Sequence, residues 1–429
     1  TSVTFPDSIK SIGDYAFLHC TGLKSIVIPG SVRGIGAGSF ENCTGLTSIV
    51  LREGVADIGS YAFSGCESLT EITLPDSVAS VGNNPFVGCG SLTEIKVNSV
   101  NGHYTFDEGL LYTKDKSKLI ACLCTKQGEI IIPDSVTGIE DCAFSGCTGL
   151  SDITLPKGVT SIGYHAFSDC TGLSGAVIPD SVTSIGKYAF ENCTELKSIN
   201  IPKSVASIGE HAFMNCSKLK SVIISDGVTS IDNCAFRDCS SLAGITVPGS
   251  VTEINYGAFE GCTGLTSAVF SEGLMTIGAN AFRSCEKLEK IIIPDSVTSI
   301  GRNAFEDCTG LTSAVFSEGL MTIGDNAFRS CEKLEKIIIP DSVTSISWNA
   351  FMNCTGLKSA VIPESVIIGR GTFSGCTGLT IYGCSGENVK RYAEKEKIPF
   401  KYICEYPQNS AGHDYVNGIC TVCGADDRN

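Results

Sequence analysis

Cysteine recurs with a fixed spacing of 23 residues along almost the whole chain. It occupies positions 20, 43, 66 and 89, then every position from 147 to 354 in steps of 23, and finally 376. Phenylalanine keeps the same phase from Phe17 to Phe373. Self-similarity at such a period is the signature of repeat architectures, in which short units stack on one another. The 429 residues are therefore better explained by one array than by about two or three independent globular domains.

Each repeat unit has the pattern of one coil of a solenoid. In residues 288–310, we expect Leu288, Ile291 and Ile293 to point inward, the last two with the period of a half-buried strand. Pro-Asp-Ser favours a turn after the strand, and a second short strand is predicted to follow it. Phe305 is predicted to lie in a single helical turn. Since no coil can bury this apolar set alone, fifteen phased cysteines predict a repeat solenoid of about 15 coils. An irregular β/β solenoid is the alternative architecture.

One two-repeat block is present twice. Residues 262–300 and 308–346 differ only at Ala279 and Asp325. Growth by copying is typical of arrays selected for length or surface area, and a single catalytic centre gains nothing from it. The duplication therefore favours a binding or structural role over an enzyme.

The phase breaks once, between Cys89 and Cys147. The two cysteines are 58 residues apart, and residues 98–126 stand in place of a regular unit. Two apolar runs, 110–113 and 118–121, flank Lys-Asp-Lys-Ser, which predicts a β-hairpin. This insert either projects from the solenoid as a specificity element or is a degenerate coil that pads the stack.

The sequence divides into three parts. The solenoid covers residues 1–383, a cap covers 384–403 and a small Cys/His tail covers 404–429. Within the cap, residues 386–397 have the apolar face of an amphipathic helix, and residues 398–403 read as a closing strand. At the other end the chain begins inside a strand without a cap, so we expect a fragment or processed form that has lost a signal peptide.

The repeat resembles the Treponema pallidum-type leucine-rich repeat, also called the BspA-like repeat. The matching pattern is LxxIxIPxSVTSIGxxAFxxC, as in residues 288–308 and, with one change, residues 196–216. The ending around Ile381 and Pro399 is also similar to that family's usual cap. The resemblance implies a right-handed leucine-rich-repeat solenoid or horseshoe with short helical turns and a C-terminal helix–strand cap. It further implies a secreted or surface protein of a host-associated bacterium that binds matrix or plasma proteins.

Charge and motifs exclude several functions. Lys and Arg number 31 against 46 Asp and Glu, so the net charge of −15 argues against nucleic acid and against anionic membranes. No apolar run is long enough to span a bilayer, so we expect no membrane insertion of this chain. No HExxH, GxSxG, phosphate-binding or dinucleotide-binding motif is present, which predicts that the protein is not an enzyme and requires no cofactor. His165 and His211 occupy a variable surface slot before Ala-Phe, where a ligand role is not expected.

The phased cysteines allow two interpretations. Stacked coils would place their Cα atoms about 5 Å apart, within the range of a disulfide. Cysteine at the same position of every coil, however, is what we expect of a residue that packs in the core, because a buried thiol behaves as a small hydrophobic group. We expect a ladder of free thiols, with disulfide or metal pairing as the alternative.

The tail contains four soft metal ligands. Cys404, His413, Cys420 and Cys423 include a C-x-x-C pair, and Cys₃His is a tetrahedral zinc set. The tail is too short for a hydrophobic core, which favours a structural zinc. The alternatives are a disordered tail or a disulfide between Cys420 and Cys423.

Two sets of outward residues are candidate ligand contacts. The main strands carry charged residues among many hydroxyls, and the edge before Ala-Phe carries aromatic residues, for which half-buried packing is the alternative. The candidates are Lys197, Lys220, Glu289, Lys290, Glu335, Lys336 and Lys358 on the strands, and Tyr61, Tyr188 and Trp348 on the edge. Because no aromatic or arginine cluster is evident on the strands, we expect modest, distributed affinity.

Together these observations predict an extracellular or cell-surface adhesion protein. We expect a monomer that binds a host matrix or plasma protein or a microbial surface molecule, and no nucleic acid. A structural spacer that presents another domain is the alternative function.

Overall fold

The computed structural model describes residues 2–383, 387–402, 415–416 and 419–420. The chain forms two compact units, residues 1–219 and 220–429. Both units are β-solenoids built from the same 23-residue coil, so the predicted fold class is confirmed. In the described part, the short strand of the coil occurs eight times in the first unit and seven in the second, and the insert contributes a further coil to the first.

One coil shows why the repeat folds this way. Its long strand, Lys290–Ile292, begins an alternation that continues to Ile293: Ile291 and Ile293 are fully buried and Ile292 is exposed. The amide of Val297 donates to the oxygen of Pro294 and closes the turn that leads to the short strand, Ser299–Ile300. This alternation confirms the period-two prediction.

The long strands form parallel ladders with a register of 23 residues, such as Ile291 beside Ala314. In the first unit they are Ser2–Val3, Ser25–Ile28, Ser48–Leu51, Glu71–Leu74, Glu94–Val97, Gly128–Ile131, Leu150–Thr154, Gly175–Val177 and Ser198–Ile201. In the second unit they are Ser221–Ile224, Gly244–Val247, Ser267–Phe270, Lys290–Ile292, Ser313–Val315, Lys336–Ile338, Ser359–Val361 and Thr380–Gly383.

The short strands form a second set of parallel ladders, such as Ile277 beside Ile300. In the first unit they are Ser11–Ile12, Gly34–Ile35, Asp57–Ile58, Ser80–Val81, Gly138–Ile139, Ser161–Ile162, Ser184–Ile185 and Ser207–Ile208. In the second unit they are Ser230–Ile231, Glu253–Ile254, Thr276–Ile277, Ser299–Ile300, Thr322–Ile323, Ser345–Ile346 and Ile367–Ile368.

The Ala-Phe segment of each coil, which we call the turn edge, forms hydrogen-bonded turns and not a helix. The amide of Cys308 bonds to the oxygen of Phe305 at 3.3 Å, three residues back. The amide of Phe282 donates to the oxygen of Ala304, in the next coil, at 2.7 Å. Left-handed residues such as Asn303 (φ 55°) and Asp307 (φ 60°) flank the segment and stop a helix from propagating.

Stacked phenylalanines fill the core behind the turn edge. In the first unit neighbouring ring centroids are 4.8 to 5.9 Å apart, and in the second 5.1 to 5.6 Å. The rings lie nearly parallel, at 4° between Phe282 and Phe305. Because each coil contributes one ring, the core continues from coil to coil within each unit.

The insert is a coil of the first unit. Its strands are Tyr104–Asp107, Leu110–Thr113 and Lys118–Cys122; the second pairs antiparallel with both others, and Lys118–Cys122 pairs parallel with Gly138–Ile139. Leu111 and Leu119 are fully buried. The hairpin therefore lies in the sheet and contributes to the core.

A helix and a strand follow the last coil of the second unit, as the sequence predicts. The helix is Asn388–Glu396, and it buries Val389 and Ala393. The strand Phe400–Tyr402 pairs parallel with Thr380–Gly383. Beyond them, Tyr415–Val416 and Ile419–Cys420 form an antiparallel pair of two-residue strands.

Candidate functional site

An exposed apolar column runs along the long strands of the second unit. It consists of the outward residue between the two buried positions of each strand, and we call it the apolar stripe. Its members are Ile223, Val269, Ile292 and Val315, which are exposed, and Ile338 and Val361, which are half-buried; Thr246 occupies the position in one further coil and Tyr382 in the last. Ile223 is 63% exposed and Ile292 is 52% exposed, while their strand neighbours on either side are buried. The sequence analysis missed this column because it compared only the two positions that precede the first buried residue of each long strand.

Acidic residues border the stripe on one side. An acidic residue stands three positions after each Val or Ile of the stripe, in the turn that leaves the strand. These residues are Asp226, Glu272, Asp295, Glu318, Asp341 and Glu364, and we call them the acidic column. The carboxylate of Glu272 accepts hydrogen bonds from the amides of Asp295 and Ser296 at 3.2 and 3.1 Å. The acidic column therefore helps to hold neighbouring turns together while presenting negative charge beside the stripe.

The strand residues proposed from the sequence lie on the other side of the stripe. Lys220, Glu289, Lys290, Glu335, Lys336 and Lys358 are all exposed in the second unit, and Lys197 is exposed in the first. Lys358 pairs with Glu335 at 3.2 Å. Because both side chains of this pair are largely exposed, the pair contributes little to stability and both groups are accessible to a partner.

The aromatic candidates lie on the turn edge, either at a residue with left-handed backbone conformation or next to one. Tyr188 is sandwiched between His165 and His211, with centroids 4.6 and 4.7 Å away and rings nearly parallel. The structure thus joins two histidines and a tyrosine into one stack in the first unit. The sequence analysis had noted the shared slot of the two histidines but not the stack.

Tyr61 and Trp348 have different surroundings. The Tyr61 hydroxyl lies 2.9 Å from the Cys142 sulfur, and burial raises the pKa of this tyrosine. Tyr61 is therefore part of the packing beside the insert. Trp348 is 67% exposed in the second unit and is the more accessible aromatic side chain of the two.

An alternating charge ladder occupies the turn edge of the second unit. Arg237, Glu260, Arg283, Glu306 and Arg329 follow the phenylalanine of successive coils. The carboxylate of Glu306, which is 7% exposed, lies 3.1 Å from Arg283 Nε and 3.2 Å from Arg329 Nη1. Arg283 and Arg329 occupy equivalent positions in the two copies of the duplicated block, which accounts for these two equal charges two coils apart.

The phased cysteines form a column of thiols behind the turn edge. In twelve coils of the described part, the cysteine donates to the backbone oxygen of the phenylalanine in the preceding coil, as Cys308 does to Phe282 at 3.2 Å, whereas Cys147 donates to the oxygen of Cys122. The same bond is made by Cys43, Cys66, Cys89, Cys170, Cys193, Cys216, Cys262, Cys285, Cys331, Cys354 and Cys376. Burial raises the pKa of Cys43 to about 11 and that of Cys89 to about 12, so these thiols are protonated and unreactive at neutral pH.

Comparison with known families identifies the repeat. The model described as "BspA type Leucine rich repeat region (6 copies)" matches residues 1–110, 121–243, 169–289, 236–358 and 275–393. These matches cover most of the chain. The protein belongs to the BspA-type leucine-rich repeat family.

Solved structures are similar to this BspA-type protein over most of its length. A leucine-rich repeat protein from Bacteroides ovatus is 28% identical, with a TM-score of 0.59, and the match covers 94% of this chain and 92% of the other. A leucine rich cell surface protein from Faecalibacterium prausnitzii is 27% identical, with a TM-score of 0.43, covering 91% and 88%. Comparison with curated proteins finds no match.

The predicted zinc ligands of this BspA-type protein are not placed by the structure. Cys404, His413 and Cys423 lie outside the described residues, and for Cys420 only the backbone of a two-residue strand is described. Where side chains are described, no three His, Cys, Asp or Glu residues are arranged to hold a metal ion. Among the same residues, no helix has the length and apolar character needed to cross a bilayer.

Proposed function

We propose that this BspA-type protein is a secreted or cell-surface binding protein that takes up another macromolecule on the long strands of its second unit. The family resemblance implies that location and that class of role. The observation that carries the proposal is the apolar stripe, because soluble proteins rarely leave a contiguous apolar column uncovered. No catalytic role is included, since the repeated coil supplies no catalytic motif.

The charges beside the stripe support a partner of complementary chemistry. The acidic column lies on one side, and the net charge of the chain is −15. On the other side, lysines alternate with Glu289 and Glu335. A protein surface with an apolar row bordered by basic side chains is complementary to this arrangement. We propose such a host matrix or plasma protein, or a microbial surface protein, as the partner.

The binding energy would be distributed over several coils. Apart from the half-buried Tyr382 in the last coil, the stripe residues are β-branched and medium-sized, and none of them is an aromatic or arginine anchor of the kind that dominates compact interfaces. Covering a wholly exposed Val or Ile stabilises a complex by about 1.5–3 kcal/mol, and each stripe residue would contribute less because part of its surface is already buried. A partner that spans several coils would therefore gain affinity with each coil it contacts.

The test compares two double variants of the full chain. Ile292→Lys with Val315→Lys places charge in the centre of the stripe, and Met275→Lys with Met321→Lys alters two exposed apolar residues beside the short strands. Binding to immobilised matrix and plasma proteins is measured for both. We expect at least a ~10-fold loss of affinity, about 1.4 kcal/mol, for the stripe variant and little change for the control.

A spacer makes the opposite prediction. The two-coil duplication would also serve a stalk, whose outward residues are free to vary. If the wild type binds no panel protein, or if the stripe variant binds as tightly as the wild type, the proposal is wrong and the spacer is favoured.

A further inference from the structure

The long strands of the second unit carry a charge pattern that repeats every two coils. Lys290 recurs as Lys336 because both lie in the duplicated block, and Ser313 occupies the same position in the coil between them. In the first unit, by contrast, like residues stand in adjacent coils, such as Glu71 beside Glu94. The two-coil period is therefore a property of the face that carries the apolar stripe.

Each repeat of this pattern is a row of three exposed groups. Across one coil, the basic Lys290, the apolar Ile292 and the acidic Asp295 follow one another, and all three are exposed. The coil of Lys336 repeats the same order in the second copy of the block. A partner that lies along the stripe thus meets the same row of basic, apolar and acidic groups twice.

The distance between the two rows selects the conformation of the partner chain. Neighbouring strands are about 4.8 Å apart, so the rows are about 9.6 Å apart along the stack. A chain that follows the stack must return a side chain to the same face after this distance. A β-strand does so after about 6.7 Å and an α-helix after about 5.4 or 10.8 Å. A polyproline II chain, with three residues per turn, does so after about 9.3 Å, which is the best match.

We propose that the second unit binds a collagen-like triple helix whose Gly-X-Y triplets lie along the apolar stripe. This inference rests on the proposed function and names the class of matrix protein that the stripe takes up. A triple helix consists of polyproline II-like chains and keeps the three-residue repeat along its whole length.

The charges of the two rows specify the triplets that fit. An acidic residue in each of two successive triplets would pair with Lys290 and Lys336. A basic residue in the same triplets would face Asp295 and Asp341 on the other side of the stripe. Proline rings of the triple helix would cover the apolar side chains between them, such as Ile292. Triplets of the type Gly-Glu-Lys therefore complement this surface.

The probe is a triple-helical peptide with two adjacent Gly-Glu-Lys triplets between runs of Gly-Pro-Hyp. Its affinity for the full chain is measured by surface plasmon resonance and compared with that of a peptide in which one Gly-Pro-Hyp triplet separates the two charged triplets. We expect adjacent triplets to bind about 3-fold more tightly or better, because only their spacing reaches both lysines. Equal affinities of the two peptides would overturn the proposal.

A third peptide tests the requirement for a triple helix. Alanine replaces one central glycine, which disrupts the triple helix locally but leaves the charged triplets unchanged. We expect at least ~10-fold weaker binding, because the chains no longer hold their three-residue period. Binding as tight as that of the intact peptide would also overturn the proposal.

Two double variants of the full chain assign the contacts. Lys290→Glu with Lys336→Glu should weaken binding of the adjacent-triplet peptide at least ~10-fold, since each change replaces an attraction with a repulsion. Lys287→Glu with Lys333→Glu is the matched control, because it makes the same charge change at the same two-coil spacing, in the turn before each strand. The control should lose less than ~3-fold, and equal losses for the two variants would contradict the assignment.

The result is distinguishable from a failure of the proposed function. If Ile292→Lys with Val315→Lys abolishes binding to other matrix or plasma proteins while no triple-helical peptide binds the wild type, the triple-helix proposal is wrong and the proposed function stands. If the wild type binds neither the peptides nor any other matrix or plasma protein, both are wrong.

Discussion

The thiol of Cys66 donates a hydrogen bond of 3.3 Å to the backbone oxygen of Phe40, in the preceding coil. The same oxygen accepts the amide of Cys43 at 3.2 Å, so both of its lone pairs are used. The slot behind the turn edge therefore selects a residue that is small, apolar and able to donate. Cysteine meets all three requirements, which explains its recurrence in every regular coil.

Removal of one column thiol should destabilise the protein measurably. Cys308→Ala deletes a buried sulfur and its bond to Phe282, and we expect a loss of about 1–2 kcal/mol in the free energy of unfolding. Cys20→Ala is the control, because Cys20 is exposed and should change stability by less than about 0.5 kcal/mol. Urea denaturation followed by circular dichroism measures both, and equal effects would show that the column thiols are not part of the core.

The thiol column should make the fold sensitive to alkali. Burial raises the pKa of Cys43 to about 11 and that of Cys89 to about 12, above the ordinary value of 9.0. A group whose folded pKa is raised contributes stability that is complete below the unfolded pKa and is lost as pH rises. Between pH 9 and 11, each such thiol should lower the free energy of unfolding by about 1.4 kcal/mol per pH unit.

Circular dichroism under reducing conditions, scanned from pH 8 to 11, measures this effect. We expect a cooperative loss of strand signal above pH 9. The double variant Cys285→Ala with Cys308→Ala removes two column thiols and should show a shallower dependence of stability on pH. A wild-type fold that is unchanged at pH 11 would contradict the prediction.

The charge ladder should depend on its buried carboxylate. Glu306→Gln leaves Arg283 and Arg329 without their shared partner, and we expect a loss of about 2 kcal/mol in stability that shrinks at high salt. Glu335→Gln is the matched control, since its pair with Lys358 is exposed and should contribute less than about 1 kcal/mol. Thermal unfolding at low and high salt compares the two, and a larger effect for the control would contradict the assignment.

The slot before Ala-Phe should tolerate only certain residues. Asn303 has φ 55°, and its side-chain amide donates to Asn280 at 2.9 Å. Asn303→Val combines a β-branched residue with left-handed backbone and should cost about 2 kcal/mol or more. Asn303→Gly loses the side-chain bond but accepts the conformation, so it should cost less. Arg302→Val is the control, and chemical denaturation gives the ranking.

Much of the fold could be predicted from the sequence because the coil repeats. Ile291 and Ile293 alternate with exposed neighbours, and this local pattern identifies the buried face without tertiary information. The turn edge was predicted as a single helical turn, and left-handed residues such as Asn303 make it a series of turns instead. The recurrence of Asn, Asp, Gly and His at these slots was the available signal for that conformation.

The candidate sites were harder to predict, for two reasons. The stripe residue Ile292 has no local signal of its own, because an exposed isoleucine is recognised as part of a column only when all coils are aligned. Cys122 and Cys124 are out of phase with the repeat, so the spacing that identified the other cysteines could not include them.

The sequence by itself determined the coil, its buried residues and the family, because a fixed period repeated over many coils dictates which side chains share the core. The tertiary structure alone decided which outward groups meet. Glu306 lies between two arginines because adjacent coils align residues 23 apart. The Cys147 thiol donates to the oxygen of Cys122, and not to a phenylalanine oxygen, because the insert stands where a regular coil would supply that phenylalanine.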